Sequence, residues 1–249
     1  MRALFVQQDH VSPVGPVGDA FAALGWDVVE FLVVPPERFS RPDVTVTFPD
    51  PAAFDAVVPM GAPWSVNDRD TLPWIAAELD LLRAADVAGV PVLGICFGGQ
   101  ALAAAHGGAV ERAPRPEIGW TVVDTDDEAL VAPGPWFEWH HDRWSLPPGA
   151  TELARTPQAS QAFVLRRNLA VQFHPELTEA QLGGWLANGG AGYLEQHQVQ
   201  AALLQARTRQ HEAAAARRTA ALVAAFLTQV ATVPTSGPGM SGAPGARHR

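Results

Sequence analysis

Pro91-Val92-Leu93-Gly94-Ile95-Cys96-Phe97-Gly98-Gly99-Gln100 is the stretch that decides the fold. Pro91 to Ile95 carries no polar side chain, so it reads as a strand buried on both faces. Such strands belong to a parallel sheet covered by helices on both sides. Ala101 to Ala105 reads as a helix. The turn between them is tight, and Gly94 and Gly98 remove the side chains that would crowd it. Strand, turn and helix in the form G-x-C-x-G make a nucleophile elbow. Cys96 then projects from the carboxyl edge of the sheet, and the helix N-terminus behind it favours thiolate over thiol. The N–H of Phe97 points at a developing oxyanion. The plain alternative is a buried structural cysteine. The glycines on both sides weigh against it.

Working outward, apolar strands alternate with helical patterns. Leu4 to Val6, Val28 to Val34, and Phe54 to Val58 read as strands. Val17 to Leu24 reads as a helix ended by Gly25. A second helix starts near Pro73, repeats Ile75, Leu79, Leu82 and Ala85, and ends at Gly89. Beyond the elbow helix, Thr121 to Val123, Leu130 to Ala132, and Phe163 to Leu165 are short strand candidates of an antiparallel extension, and Leu169 to Phe173 is a further strand. The chain reads as helical from Thr178, with one apolar face of Leu222, Val223, Phe226, Leu227 and Val230. The fold class expected is α/β, a mainly parallel central sheet flanked by helices, with a small antiparallel extension and C-terminal helices. Residues 1–190 are expected to form the catalytic unit and 191–233 a helical extension packed on it. Residues 234–249, rich in Pro, Gly, Ser and Ala, read as a disordered tail.

Composition excludes several chemistries. The 249 residues carry a net charge of −9 and no basic stripe, so no nucleic-acid partner is expected. All 17 basic residues are arginine, which excludes a Schiff-base or P-loop lysine. A single cysteine excludes an internal disulfide and multi-cysteine metal sites. The N-terminus does not read as a signal peptide, and no apolar run approaches the roughly 18–20 residues of a membrane span. A cytoplasmic protein without membrane contact is the expectation.

A thiol nucleophile needs an imidazole, and the imidazole needs an acceptor to orient it. Val171-Gln172-Phe173-His174-Pro175-Glu176 supplies both. His174 ends an apolar strand at the sheet edge, and Glu176 is near enough in sequence to turn back onto it. His10, His106, His197, His211 and His248 lack such a setting. Glu138-Trp139-His140-His141-Asp142 is a real competitor. As a metal site it is handicapped, because adjacent side chains in an extended segment point opposite ways. A substrate-facing loop and a Trp-anchored surface loop remain equally open.

Together the Cys96 and His174 motifs resemble the class I (triad) glutamine amidotransferases. Glu117-Ile118-Gly119-Trp120 and His140-His141-Asp142 are similar to the stand-alone members that resemble the glutaminase domain of GMP synthetase. The resemblance covers residues 1–190 or so and implies a glutaminase with a flavodoxin-like fold. Cys96 attacks the glutamine carboxamide, His174 activates the thiol and protonates the leaving ammonia, and Glu176 orients His174. Gly61 and Phe97 supply the oxyanion-hole N–H groups. Gln100 lines the glutamine pocket, and Asp142 holds the amino-acid end of the substrate. No cofactor or metal is implied. One departure is Gly61-Ala62-Pro63, where many members have Gly-Gly-Pro. The other is that residues 177–249 do not read as a synthetase domain. The expected partners are glutamine or a γ-glutamyl substrate and a separate synthetase that takes the ammonia. The alternative is a stand-alone γ-glutamyl hydrolase or peptidase. A regulatory module without chemistry and an esterase-like hydrolase rank below both. The first would not need the intact Cys96, His174 and Glu176, and in the second the acid precedes the histidine.

Overall fold

The computed structural model describes residues 1–232. The sequence reading of residues 234–249 therefore lies outside the described residues. Strand β1 (Arg2–Asp9) leads through helix α1 (Gly15–Ala23) to β2 (Asp27–Val34) and β3 (Ala56–Pro59). Helix α2 (Pro73–Val87), β4 (Leu93–Ile95) and α3 (Phe97–Ala105) follow. Then come β5 (Val110–Thr121), β6 (Asp124–Thr125), β7 (Trp136–Trp144), β8 (Thr151–Arg155), β9 (Ser160–Leu165) and β10 (Asn168–Val171). Helices α4 (Glu179–Trp185), α5 (Ala191–Gln196) and α6 (Ala201–Ala225) complete the described chain.

β2, β1 and β3 form a fully parallel sheet, and β4, β10, β9, β8 and β6 form a mixed one. A parallel bridge between Val57 and Val92 joins the two. Strand residues alternate between two cores. Ala3 and Phe5 pack on the side of α1 and α6 with Phe21, Leu222, Val223 and Phe226, whereas Leu4 and Val6 pack on the side of α2 and α3 with Ile75, Leu82 and Leu102. Burial on both faces explains why these strands read as unbroken apolar runs. The apolar face expected from spacing, Leu222 and Val223 on α6 with Phe226, Leu227 and Val230 in the turn after it, closes the first core.

Four expectations need correction. The sheet is mainly parallel over one half only. β9 and β10 are joined by Arg166 and Arg167 alone, and so short a link permits only antiparallel pairing. Leu130 to Ala132 is a turn, because the Asp127 carboxylate accepts from the N–H groups of Ala129 and Leu130 and winds the chain locally. Glu138 to Asp142 is neither kind of loop. It lies inside β7, paired antiparallel with β5 so that His140 stands opposite Glu117. The C-terminal helical run is also interrupted, at Asn188 and Gly189, the latter with φ of +105°.

Candidate active site

Four strands of one direction deliver their carboxyl ends to the same edge, where α/β sheets bind ligands. β1 brings Asp9, β3 leads to Gly61, β4 ends against Cys96, and the segment after β10 carries His174. A cavity of about 560 Å³ opens there. Asp9, Gly61, Cys96, Gln100, Asp142 and His174 all contribute to its wall.

Cys96 occupies the N-cap of α3 with φ +49° and ψ −107°, a conformation that non-glycine residues rarely adopt. The fold holds it there. Its N–H donates to the Val171 carbonyl at 2.8 Å, and its own carbonyl accepts from Gln100 at 2.9 Å. Gly98 is forced by packing: a Cβ there would sit 2.1 Å from the Pro59 carbonyl oxygen. The Gly98 N–H donates to the Met60 carbonyl, which ties the elbow to the loop that presents Gly61. Among the described residues, neither the Gly61 nor the Phe97 N–H has a protein acceptor.

His174 is anchored through its backbone, its N–H donating to the Phe137 carbonyl of β7 at 2.8 Å. Its Nδ1 lies 2.7 Å from Glu176 Oε1. Nε2 is buried and makes no aligned hydrogen bond among the described residues. Burial works against a charge on this ring, but Cys96 and Glu176 beside it together hold it well above the usual histidine range. Trp185 packs edge-on against the ring at 4.9 Å, and its indole N–H donates to Ser12, which in turn donates to Asp9.

The expected substrate-binding residues sit on the same wall. Gln100 donates to the Asp142 carbonyl at 3.0 Å, and the Asp142 carboxylate accepts from Ser65 at 2.5 Å. His140 is buried and His141 half-exposed, as neighbours in a strand should be. Among the described residues no group of three or more His, Cys, Asp or Glu side chains could hold a metal ion.

Sequence reasoning missed several residues of the site. Ser65, Asp9 and Trp185 carry no local signal, since each reaches the cavity from a different element. Gln172 did carry one. It stands in the same motif, two positions before His174, and its Nε2 is 3.6 Å from Cys96 Sγ.

The sequence profile of the class-I glutamine amidotransferases matches residues 37–188. The GMP synthase (glutamine-hydrolyzing) of Nitrosomonas eutropha is 38% identical over 146 residues, 51% of this chain and 26% of that protein. A Sulfolobus acidocaldarius protein, named as one subunit of GMP synthase (glutamine-hydrolyzing), is 38% identical over 140 residues, 52% of this chain and 71% of that one. The chain thus spans about a quarter of the length of the first of these relatives. A crystal structure of a glutamine amidotransferase from Methylobacillus flagellatus superposes with a TM-score of 0.77 at 25% identity, covering 99% of both chains. One from Thermotoga maritima gives 0.78 at 22% identity, covering 92% of this chain and 98% of that one, a likeness of fold. With the profile matched across the elbow, the cavity wall and the histidine segment, the chain belongs to the class-I glutamine amidotransferase family.

Proposed function

We propose that the protein hydrolyses the γ-carboxamide of glutamine through a glutamyl thioester on Cys96 and passes the ammonia to a separate synthetase. The observation that carries this reading is the 2.7 Å contact between His174 Nδ1 and Glu176, beside a strained cysteine at a helix N-terminus. The Cys96 sulfur attacks the amide carbon, and the negative oxygen that forms is met by the N–H groups of Gly61 and Phe97. The C–N bond breaks as His174 gives its proton to the departing nitrogen. Water then attacks the thioester with His174 as base, releasing glutamate and restoring the thiol. Glu176 keeps the imidazole in the tautomer that both steps need. Gln100 and Asp142 bind the rest of glutamine. The separate synthetase is supported by the relative from Sulfolobus acidocaldarius, whose name makes it one part of a larger enzyme. The reaction belongs in the cytoplasm, where a lone thiol stays reduced.

A second reading is favoured by the cavity. At about 560 Å³ it has room for more than one amino acid, and Phe39, Trp64, Trp139, Trp185 and Tyr193 line it. The same chemistry on a γ-glutamyl amide with a larger leaving group would use that space without a partner. The deciding experiment is glutamate release by the purified protein from glutamine and from a panel of γ-glutamyl amides. Faster turnover of a bulky γ-glutamyl amide selects the hydrolase. Slow turnover of glutamine alone, with Cys96 still alkylated by a glutamine analogue, selects the synthetase-dependent enzyme. No release and no alkylation would overturn both.

A further inference from the structure

A chain of polar contacts runs from β7 to Cys96, and apart from Gln100 and Asp142 the mechanism above does not use its members. It starts at the Asp142 backbone carbonyl. That oxygen lies 2.9 Å from His140 Nδ1 and 3.0 Å from Gln100 Nε2. Gln100 Nε2 is also 3.3 Å from Gln172 Oε1, and Gln172 Nε2 is 3.6 Å from Cys96 Sγ. Gln172 is fully buried and is not part of the cavity wall, so it meets the nucleophile without meeting the substrate.

The polarity of the chain is forced from one end. A carbonyl oxygen only accepts. Gln100 must therefore turn its amide nitrogen toward Asp142, and the second N–H of that nitrogen reaches the Gln172 oxygen. Gln172 is left with its own nitrogen facing the sulfur. The same carbonyl requires a proton on His140 Nδ1. His140 Nε2 lies 3.2 Å from Glu117 and 3.4 Å from Glu138, and a bare lone pair between two carboxylates would be repelled by both. Both contacts favour a charged ring, although neither is aligned as a hydrogen bond and burial raises Glu138 as well. Burial opposes that charge, but Glu117 and Glu138 push the imidazole up to about 10. Glu117 is itself fixed by Gln161 at 2.8 Å and Thr156 at 3.0 Å.

We propose that Gln172 donates a hydrogen bond to the Cys96 sulfur, and that the buried Glu117–His140–Glu138 cluster orients it for this through the Asp142 carbonyl and Gln100. Gln172 is the catalytic member, since it touches the reacting atom. Gln100, His140, Glu117 and Glu138 are positioning residues. A donor on sulfur favours the thiolate before attack and the departing thiolate when the thioester is hydrolysed. The other titratable groups acting on this centre are His174, Glu176 and Tyr193. The proposal rests on reading Cys96 as the nucleophile.

The test is the pH dependence of iodoacetamide labelling. Cys96 is the only cysteine, so labelling reports one thiol, and no substrate is needed. A protein that hydrolysed nothing would still report the thiol, which separates this test from that of the proposed function. In Gln172→Met the pH of half-maximal labelling should rise by about one unit, and in Gln100→Met by less. An unchanged midpoint in a folded Gln172→Met protein overturns the proposal. Should that variant fail to fold, the wild-type chain decides. In ¹⁵N-histidine NMR at pH 8, a proton on His140 Nδ1 supports the forced polarity, and a bare Nδ1 overturns it.

Discussion

Gly61 and His174 stand so close that a methyl group cannot fit between them. A Cβ on Gly61 would lie 2.8 Å from His174 Cε1 and 3.7 Å from Cys96 Cβ. Gly61→Ala should therefore push the imidazole off its line to the thiol and disturb an oxyanion donor at once. The expected loss in kcat is about 10²–10³-fold, with a melting temperature within a few degrees of wild type. Steady-state kinetics alongside thermal unfolding checks this. Full activity in the variant would remove Gly61 from the site.

Glu176→Gln keeps an acceptor beside His174 Nδ1 but removes the charge that helps raise the ring. Because the carboxylate holds the imidazolium together, its loss should let the ring deprotonate at lower pH. The alkaline limb of the pH–rate profile should move down, and kcat should fall by about 10–10²-fold. A profile superposable on wild type would mean that Glu176 does not act through His174.

Glu78 offers a test of stability apart from catalysis. It is fully buried in α2, accepts from Gln8 at 2.7 Å, and burial raises it from 4.5 to about 8. A raised folded-state value means that the protonated form supports the fold fully below the ordinary carboxylate range, and that this support is lost as pH rises towards 8. Glu78→Gln should unfold at a temperature about 10 °C or more above wild type at pH 8.5, with the difference vanishing near pH 4.5. A difference independent of pH would show that Glu78 does not carry the titration.

How far the sequence discloses such features depends on how local they are. The elbow was legible because strand, glycine turn and cysteine are adjacent in the chain, and both Cys96 and His174 lie at the sheet edge the reading expected. The Glu117–His140 pairing was not, because it arises from the register of β5 with β7. Glu138-Trp139-His140-His141-Asp142 looked like a loop for its charge, although its flanking aromatic residues favour a strand. Antiparallel content was underestimated for a related reason. The two-residue link at Arg166 and Arg167 holds no glycine, and Arg166 still adopts φ +57°. Its guanidinium is fixed by Asp86 at 2.9 and 2.6 Å, a partner far away in sequence.

His174→Ala leaves Glu176 without its partner and, on the proposed mechanism, the thiol without a base. Glutamate release should fall about 10³-fold or more, while circular dichroism stays that of the wild type. Rescue by added imidazole would place the defect in proton transfer. Undiminished release would hand the base role to another residue.

The central claim is a glutamyl group carried on Cys96. Intact-protein mass spectrometry of an acid-quenched reaction with glutamine, or with the best γ-glutamyl amide, tests it most directly. The account predicts one glutamyl adduct per chain, mapped to Cys96 and absent from Cys96→Ser. Glutamate formed without any adduct, at an undiminished rate in Cys96→Ser, would contradict it.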